Sequence, residues 1–171
     1  EAVTTCTHQS RIAAPNPDAN DYFGNPLALS GDGSTLAIGA DGESSNHTGT
    51  YSIMPATNNL ASSAGAVYVY TRSGAVWSQQ AFIKAPNAFA SDLFGSTVRL
   101  STNGDTLAVA AYYESADLTG THGNGAYFAS GAAHVFTRVG GAWSAQGYLK
   151  ASNAGSGVYF GIALAISASG D

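Results

Sequence analysis

The chain has 171 residues, of which 44% are hydrophobic and 10% charged, with a net charge of −5. That is one domain's length with enough apolar material for a core, and the low charge leaves its surface to Ser, Thr, Asn, Gln and backbone. Six basic residues spread along the chain form no phosphate-binding stripe, and no apolar run approaches the roughly 20 residues of a bilayer span, so neither nucleic-acid binding nor membrane insertion is expected.

Nine Tyr, seven Phe and two Trp argue against disorder. The single cysteine, Cys6, cannot close an internal disulfide or build a cysteine metal cluster. From Glu1 onward there is neither a basic segment nor an apolar stretch, so no signal peptide is expected, a start compatible with a processed, exported protein.

Self-comparison organises the chain. DYFGNPLALSGDGSTLAIGA (21–40), DLFGSTVRLSTNGDTLAVAA (92–111) and VYFGIALAISASGD (158–171) align without gaps, placing Phe23, Phe94 and Phe160 at steps of 71 and 66 residues. A second block, GAVYVYTRSGAVWSQQAFIKAPN (65–87), recurs as GAAHVFTRVGGAWSAQGYLKASN (131–153). The longer first step confines an insertion to residues 41–64, which marks a loop.

In chain order, residues 1–12 align with the strand around Trp77 and read as the last strand of a preceding unit. Residues 13–83 form one unit, 84–149 the next, and 150–171 the start of a third. Each unit reads as four strands. The first spans Phe23 to Ser30, Phe94 to Ser101 or Phe160 to Ser167. A tight Gly-Asp-Gly or Asn-Gly-Asp turn follows. The second spans Thr35 to Ala40 or Thr106 to Ala111, and a long loop comes next. The third spans Ala66 to Thr71 or Ala132 to Thr137; the fourth, Val76 to Ile83 or Ala142 to Leu149. No segment sustains a 3.6-residue period, so no helix is predicted. The pattern predicts an all-β chain of β-propeller blades, each with four antiparallel strands at a period of about 66–71 residues. Ten strands or fewer do not close a propeller of four to eight blades. An incomplete propeller is therefore expected, as part of a longer protein or completed by other copies.

From Phe23-Gly24 to Ala37-Ile38-Gly39-Ala40 the pattern resembles the FG-GAP repeat of integrin α-chain β-propellers, and more closely the integrin-like repeats of large exported bacterial surface proteins. The resemblance covers essentially the whole chain. It implies an extracellular or cell-surface module for adhesion or ligand binding. The Asp-rich calcium loop that such repeats often carry between the first two strands is absent. The hairpins 30–34 and 101–105 hold one or two carboxylates, against about six to eight oxygen ligands for calcium. No cofactor is expected at those hairpins, and calcium is left as the alternative elsewhere in the chain.

The loops 41–64 and 112–130 are the candidate site, since long loops in a compact domain are often functional. Glu43, Asn46, Tyr112, Tyr113, Glu114, Asp117 and Tyr127 are the candidate ligand-binding residues. The aromatics would stack on sugar rings or anchor a protein; the alternative is that they cover the loop's own apolar cluster, while Glu43 and Asn46 fix its backbone. Asp21 and Asp92 are expected to cap the turns between blades, Lys84 and Lys150 to be solvated, and His134 to pack within its strand. Asn46-His47-Thr48 is a glycosylation sequon. No nucleophile elbow, phosphate loop or dinucleotide fingerprint is present, so no enzyme is predicted. The expected partner is a glycan or a protein. The alternative is a structural, self-assembling unit of an extracellular fibre or large adhesin, with other copies of the chain as partners.

Overall fold

The computed structural model describes His8, residues 10–123 and residues 127–170. Regular structure among them is entirely β. The strands are β1 (Leu27–Leu29), β2 (Thr35–Ala40), β3 (Thr50–Tyr51), β4 (Ala66–Ser73), β5 (Val76–Ile83), β6 (Phe94–Leu100), β7 (Thr106–Ala111), β8 (Ala132–Val139) and β9 (Ala142–Leu149). They form two antiparallel sheets, ordered β1-β2-β4-β5-β3 and β6-β7-β8-β9, each a blade of an open propeller.

The sequence builds the first hairpin of each blade the same way. Ser30 Oγ donates to Asp32 while accepting the Thr35 amide at 2.9 Å. Ser101 Oγ does the same between Asn103 and the Thr106 amide. Asp32 also accepts from the Ser34 hydroxyl and amide, and these bonds hold its carboxyl down at about 2.

Alternation along the strands gives each blade two apolar faces. Ala37, Val67, Val69, Ala81 and Ile83 of the first sheet pack onto Phe94, Val98, Leu107, Val109, Phe136 and Trp143 of the second, making the core between blades. The opposite face of the first sheet, Ile38, Tyr68, Tyr70 and Phe82, is covered by Ile12, Ala14 and Phe23. Small side chains in β2 and β7 let the inner strands approach, and Trp143 fills the outer gap, 6% exposed. At Gly65 the two blades touch through backbone. It bridges Phe94, sits at φ +82°, and a Cβ there would collide with the Phe94 carbonyl; Gly131 meets Phe160 identically.

Three expectations need correction. The first strand of the first blade shrinks to Leu27–Leu29, because Pro26 has no amide hydrogen for the ladder. Residues 160–167 form no strand; Phe160 makes a single bridge to Gly131. The 41–64 loop contains a short strand, β3, which pairs with β5. Of the predicted strand at 1–12, residues 1–7 and Gln9 lie outside the described residues, and 10–12 are irregular.

Candidate functional site

The loops after β2 and β7 are rooted by buried charge. Glu43 and Glu114 each lie three residues beyond a second strand, and each amide bonds back to the last strand residue, Ala40 or Ala111, so the carboxylate turns inward. Glu43 meets Lys84 Nζ at 2.6 Å, with both side chains buried, and also accepts the Ser45 hydroxyl and amide. Glu114, fully buried, accepts from Tyr148 Oη at 2.5 Å and Lys150 Nζ at 3.2 Å, with His134 Nε2 at 3.2 Å. The solvated lysines expected after the fourth strands are thus buried counter-ions; each follows a strand that ends beneath the loop carrying its carboxylate.

These environments set the protonation states. Burial lowers the Lys84 pKa against the opposing pull of Glu43. Burial alone would raise Glu114, but hydrogen bonds from His134 and Tyr148 and the charges of His134 and Lys150 bring it down to about 2. Neither carboxylate faces solvent, where a ligand would arrive. A buried carboxylate matched to a buried lysine in both repeats is a signal the sequence carries: Glu43 recurs as Glu114 and Lys84 as Lys150.

The remaining predicted residues lie at the surface. Asn46 is exposed and accepts from Asn58 Nδ2 at 3.1 Å. Asp117 closes a turn by accepting from the Thr119 amide and hydroxyl and the Thr121 amide, which lower its pKa. Tyr127 is half-buried and its carbonyl accepts from the Ser130 amide.

Tyr112 and Tyr113 do come together, ring centroids 5.8 Å apart. Tyr113 meets Phe128 edge-on at 5.5 Å, and both tyrosines contact Tyr159 at 6.2 and 5.8 Å. Tyr159 reaches them because the residue before each Phe-Gly pair adopts a left-handed backbone, φ 57° at Tyr22, 57° at Leu93 and 53° at Tyr159. Phe128 stays 59% exposed and Val158 42%. The result is an aromatic patch joining the loop of one blade to the chain entering the next. The sequence marks Phe128 as a loop aromatic beside Tyr112, Tyr113 and Tyr127, but not Tyr159, whose role depends on that backbone geometry.

A second cluster lies at the turn between blades, where the sequence reading foresaw the Asp21 and Asp92 caps but not His122. Asp92 accepts the Phe89 amide at 3.0 Å, as Asp21 accepts that of Asp18. Beside it, His122 stacks on Phe89 with centroids 4.6 Å apart and places Nε2 3.3 Å from the Asp92 carboxylate, out of line for a hydrogen bond. Burial would lower the His122 pKa, but Asp92 outweighs it and raises the value. Among the described residues no group of three or more His, Cys, Asp and Glu side chains is placed to hold a metal ion. No described helix is long and apolar enough to cross a membrane.

Two stacked four-to-five-stranded antiparallel blades with recurring Phe-Gly turns define an integrin-like β-propeller repeat protein. The FG-GAP repeat family model matches residues 6–70 and 77–136, more than half of the chain, and the protein belongs to that family. The second match begins at Trp77 in β5 of the first blade and ends at Phe136 in β8 of the second, so it straddles the blade interface. FG-GAP repeats are a repeat and binding type of domain rather than an enzymatic one, and typically occur in extracellular proteins. Comparison with curated proteins finds no match.

Proposed function

We propose that the chain is the ligand-binding part of an extracellular or cell-surface β-propeller, which engages a glycan or protein through its loop face. The aromatic patch of Tyr112, Tyr113, Phe128 and Tyr159 supports this reading most directly. Rings presented partly bare at the surface stack on sugar faces or anchor a protein partner. The loop needs them exposed for no structural reason: its root is already held by Glu114, His134, Tyr148 and Lys150. Asp117 and Tyr127 flank the patch in sequence and would supply polar contacts at its rim; Asn46 would contribute from the preceding blade.

The test is binding to a glycan array and to immobilised extracellular matrix proteins, by wild type and by Tyr113→Ala and Phe128→Ala. The reading expects a saturable ligand whose affinity falls at least tenfold in both variants while circular dichroism stays unchanged. Undiminished binding by folded Phe128→Ala and Tyr113→Ala sinks it.

A further inference from the structure

The two blades differ at their outer edges. In the first, the loop returns along β5 as β3, pairing Thr50 with Ile83 and Tyr51 with Phe82, and the Lys84 amide donates to the Gly49 carbonyl at 2.9 Å. The matching residues in the second repeat are Gly120, Thr121 and His122, and they form no strand on β9. The Gly120 carbonyl accepts instead from Asn87 Nδ2 at 3.1 Å, and His122 turns away to stack on Phe89. The loop is drawn toward the connection between blades, and β9 is left as the sheet edge.

A cleft of 330 Å³ opens beside the Gly120 loop, against β9 and the connection between blades. It is lined by Asn87, Gly120, His134, Gln146, Gly147 and Tyr148, among others. Asn87 is among the lining residues, and its Oδ1 is buried with no hydrogen-bond partner among the described residues. An edge strand offers unpaired backbone donors and acceptors at strand spacing, which a peptide backbone matches. The first blade shows the fit: an extended Thr-Tyr pair of this same chain occupies the equivalent edge.

We propose that the cleft between the Gly120 loop and the open edge of β9 binds an extended peptide, which adds to the second blade as β3 adds to the first. The peptide backbone pairs with β9 near Tyr148 and Leu149. Its side chain enters beside Gln146, while Asn87, bonded to the Gly120 carbonyl, keeps the loop clear of the edge. This site is separate from the aromatic patch, and either proposal stands without the other.

The probe is the acetylated, amidated peptide Thr-Gly-Thr-Tyr-Ser-Ile, the chain's own residues 48–53, titrated into the isotope-labelled 171-residue protein and followed by amide NMR. Shifts centred on Tyr148, Leu149 and Lys150 are expected. Affinity should fall at least fivefold for Asn87→Ala and for Gln146→Trp, whose indole fills the cleft mouth. A peptide with Pro in place of its second Thr, which lacks one backbone donor, should bind at least fivefold more weakly. Absence of shifts, shifts confined to Phe82 and Ile83 through exchange with β3, or wild-type affinity in both protein variants would each overturn the proposal.

Discussion

Gln80 accepts the indole hydrogen of Trp143 at 2.9 Å, tying the outer strand of the first blade to the outer strand of the second. The same Oε1 accepts from Arg138 Nη1 at 3.1 Å, and Arg138 reaches Thr35 Oγ1 at 3.2 Å. Gln80 can do this because it is the residue skipped in the β4–β5 register, where Val69 pairs with Ala81 and Tyr70 with Gln79. The bulge turns one polar side chain out of the sheet and into the space between blades.

Gln80→Leu leaves the indole and guanidinium without that acceptor, and should destabilise the chain by about 1–3 kcal/mol. Gln146→Leu, at the equivalent bulge of the second blade, should cost less than about 0.5 kcal/mol because its side chain is exposed. Urea unfolding followed by tryptophan fluorescence compares the two. Equal losses would show that the latch carries no energy.

Lys84→Met strands the Glu43 carboxylate in the interior, where breaking a buried pair typically costs about 3–5 kcal/mol. Adding Glu43→Leu removes the orphan charge, and the double variant should recover most of the loss. Equilibrium unfolding of the two single variants and the double closes the cycle. Additive effects would mean that the two groups do not interact.

Gly65→Ala puts a Cβ into the Phe94 carbonyl at a left-handed φ of +82°, and neither backbone can move without parting the blades. Gly49 has nearly the same φ, +84°, with nothing within 4 Å of its hypothetical Cβ. Gly49→Ala should therefore show only the strain of about 1–2 kcal/mol of a left-handed residue, and Gly65→Ala a substantially larger loss. Thermal melts of the two variants separate conformational strain from collision.

Much of this architecture was legible from recurrence. Trp77 and Trp143, the Phe-Gly pairs and the paired hairpins fixed β2, β5, β7 and β9 to the residue, because strands with buried alternating faces tolerate no slip in register. The charge anchors were misjudged because a lysine after a strand looks solvated until the loop folding over it is known. β3 was invisible: Thr50–Tyr51 pairs with β5 while the similar Thr121–His122 does not, so the outcome rests on competition from Asn87, Phe89 and Asp92 across the blade boundary. Tyr159 joins the aromatic patch through its left-handed backbone, which no side-chain pattern announces.

Acid should loosen the second blade at Glu114. Its carboxyl is depressed from 4.5 to about 2 in the folded chain, so its contribution is fully present above about 4.5 and lost as pH falls toward 2. Glu114→Gln should therefore narrow its stability deficit relative to wild type across that window, measured by urea midpoints between pH 5 and 2.5.

His122 works in the opposite direction. Asp92 raises its pKa above 6.5 despite the burial that would lower it, so the protonated ring stabilises the fold fully below about 6.5, and that contribution disappears as pH rises through the raised value. Replacing it by Gln removes the charge while leaving a planar group against Phe89. Wild type should exceed His122→Gln in unfolding midpoint at pH 6, and the gap should shrink steadily by pH 8.5, because the neutral imidazole no longer offsets the Asp92 carboxylate. A gap that is constant across that range would mean that His122 contributes through stacking alone, with its charge irrelevant to how the loop is held on the connection between blades.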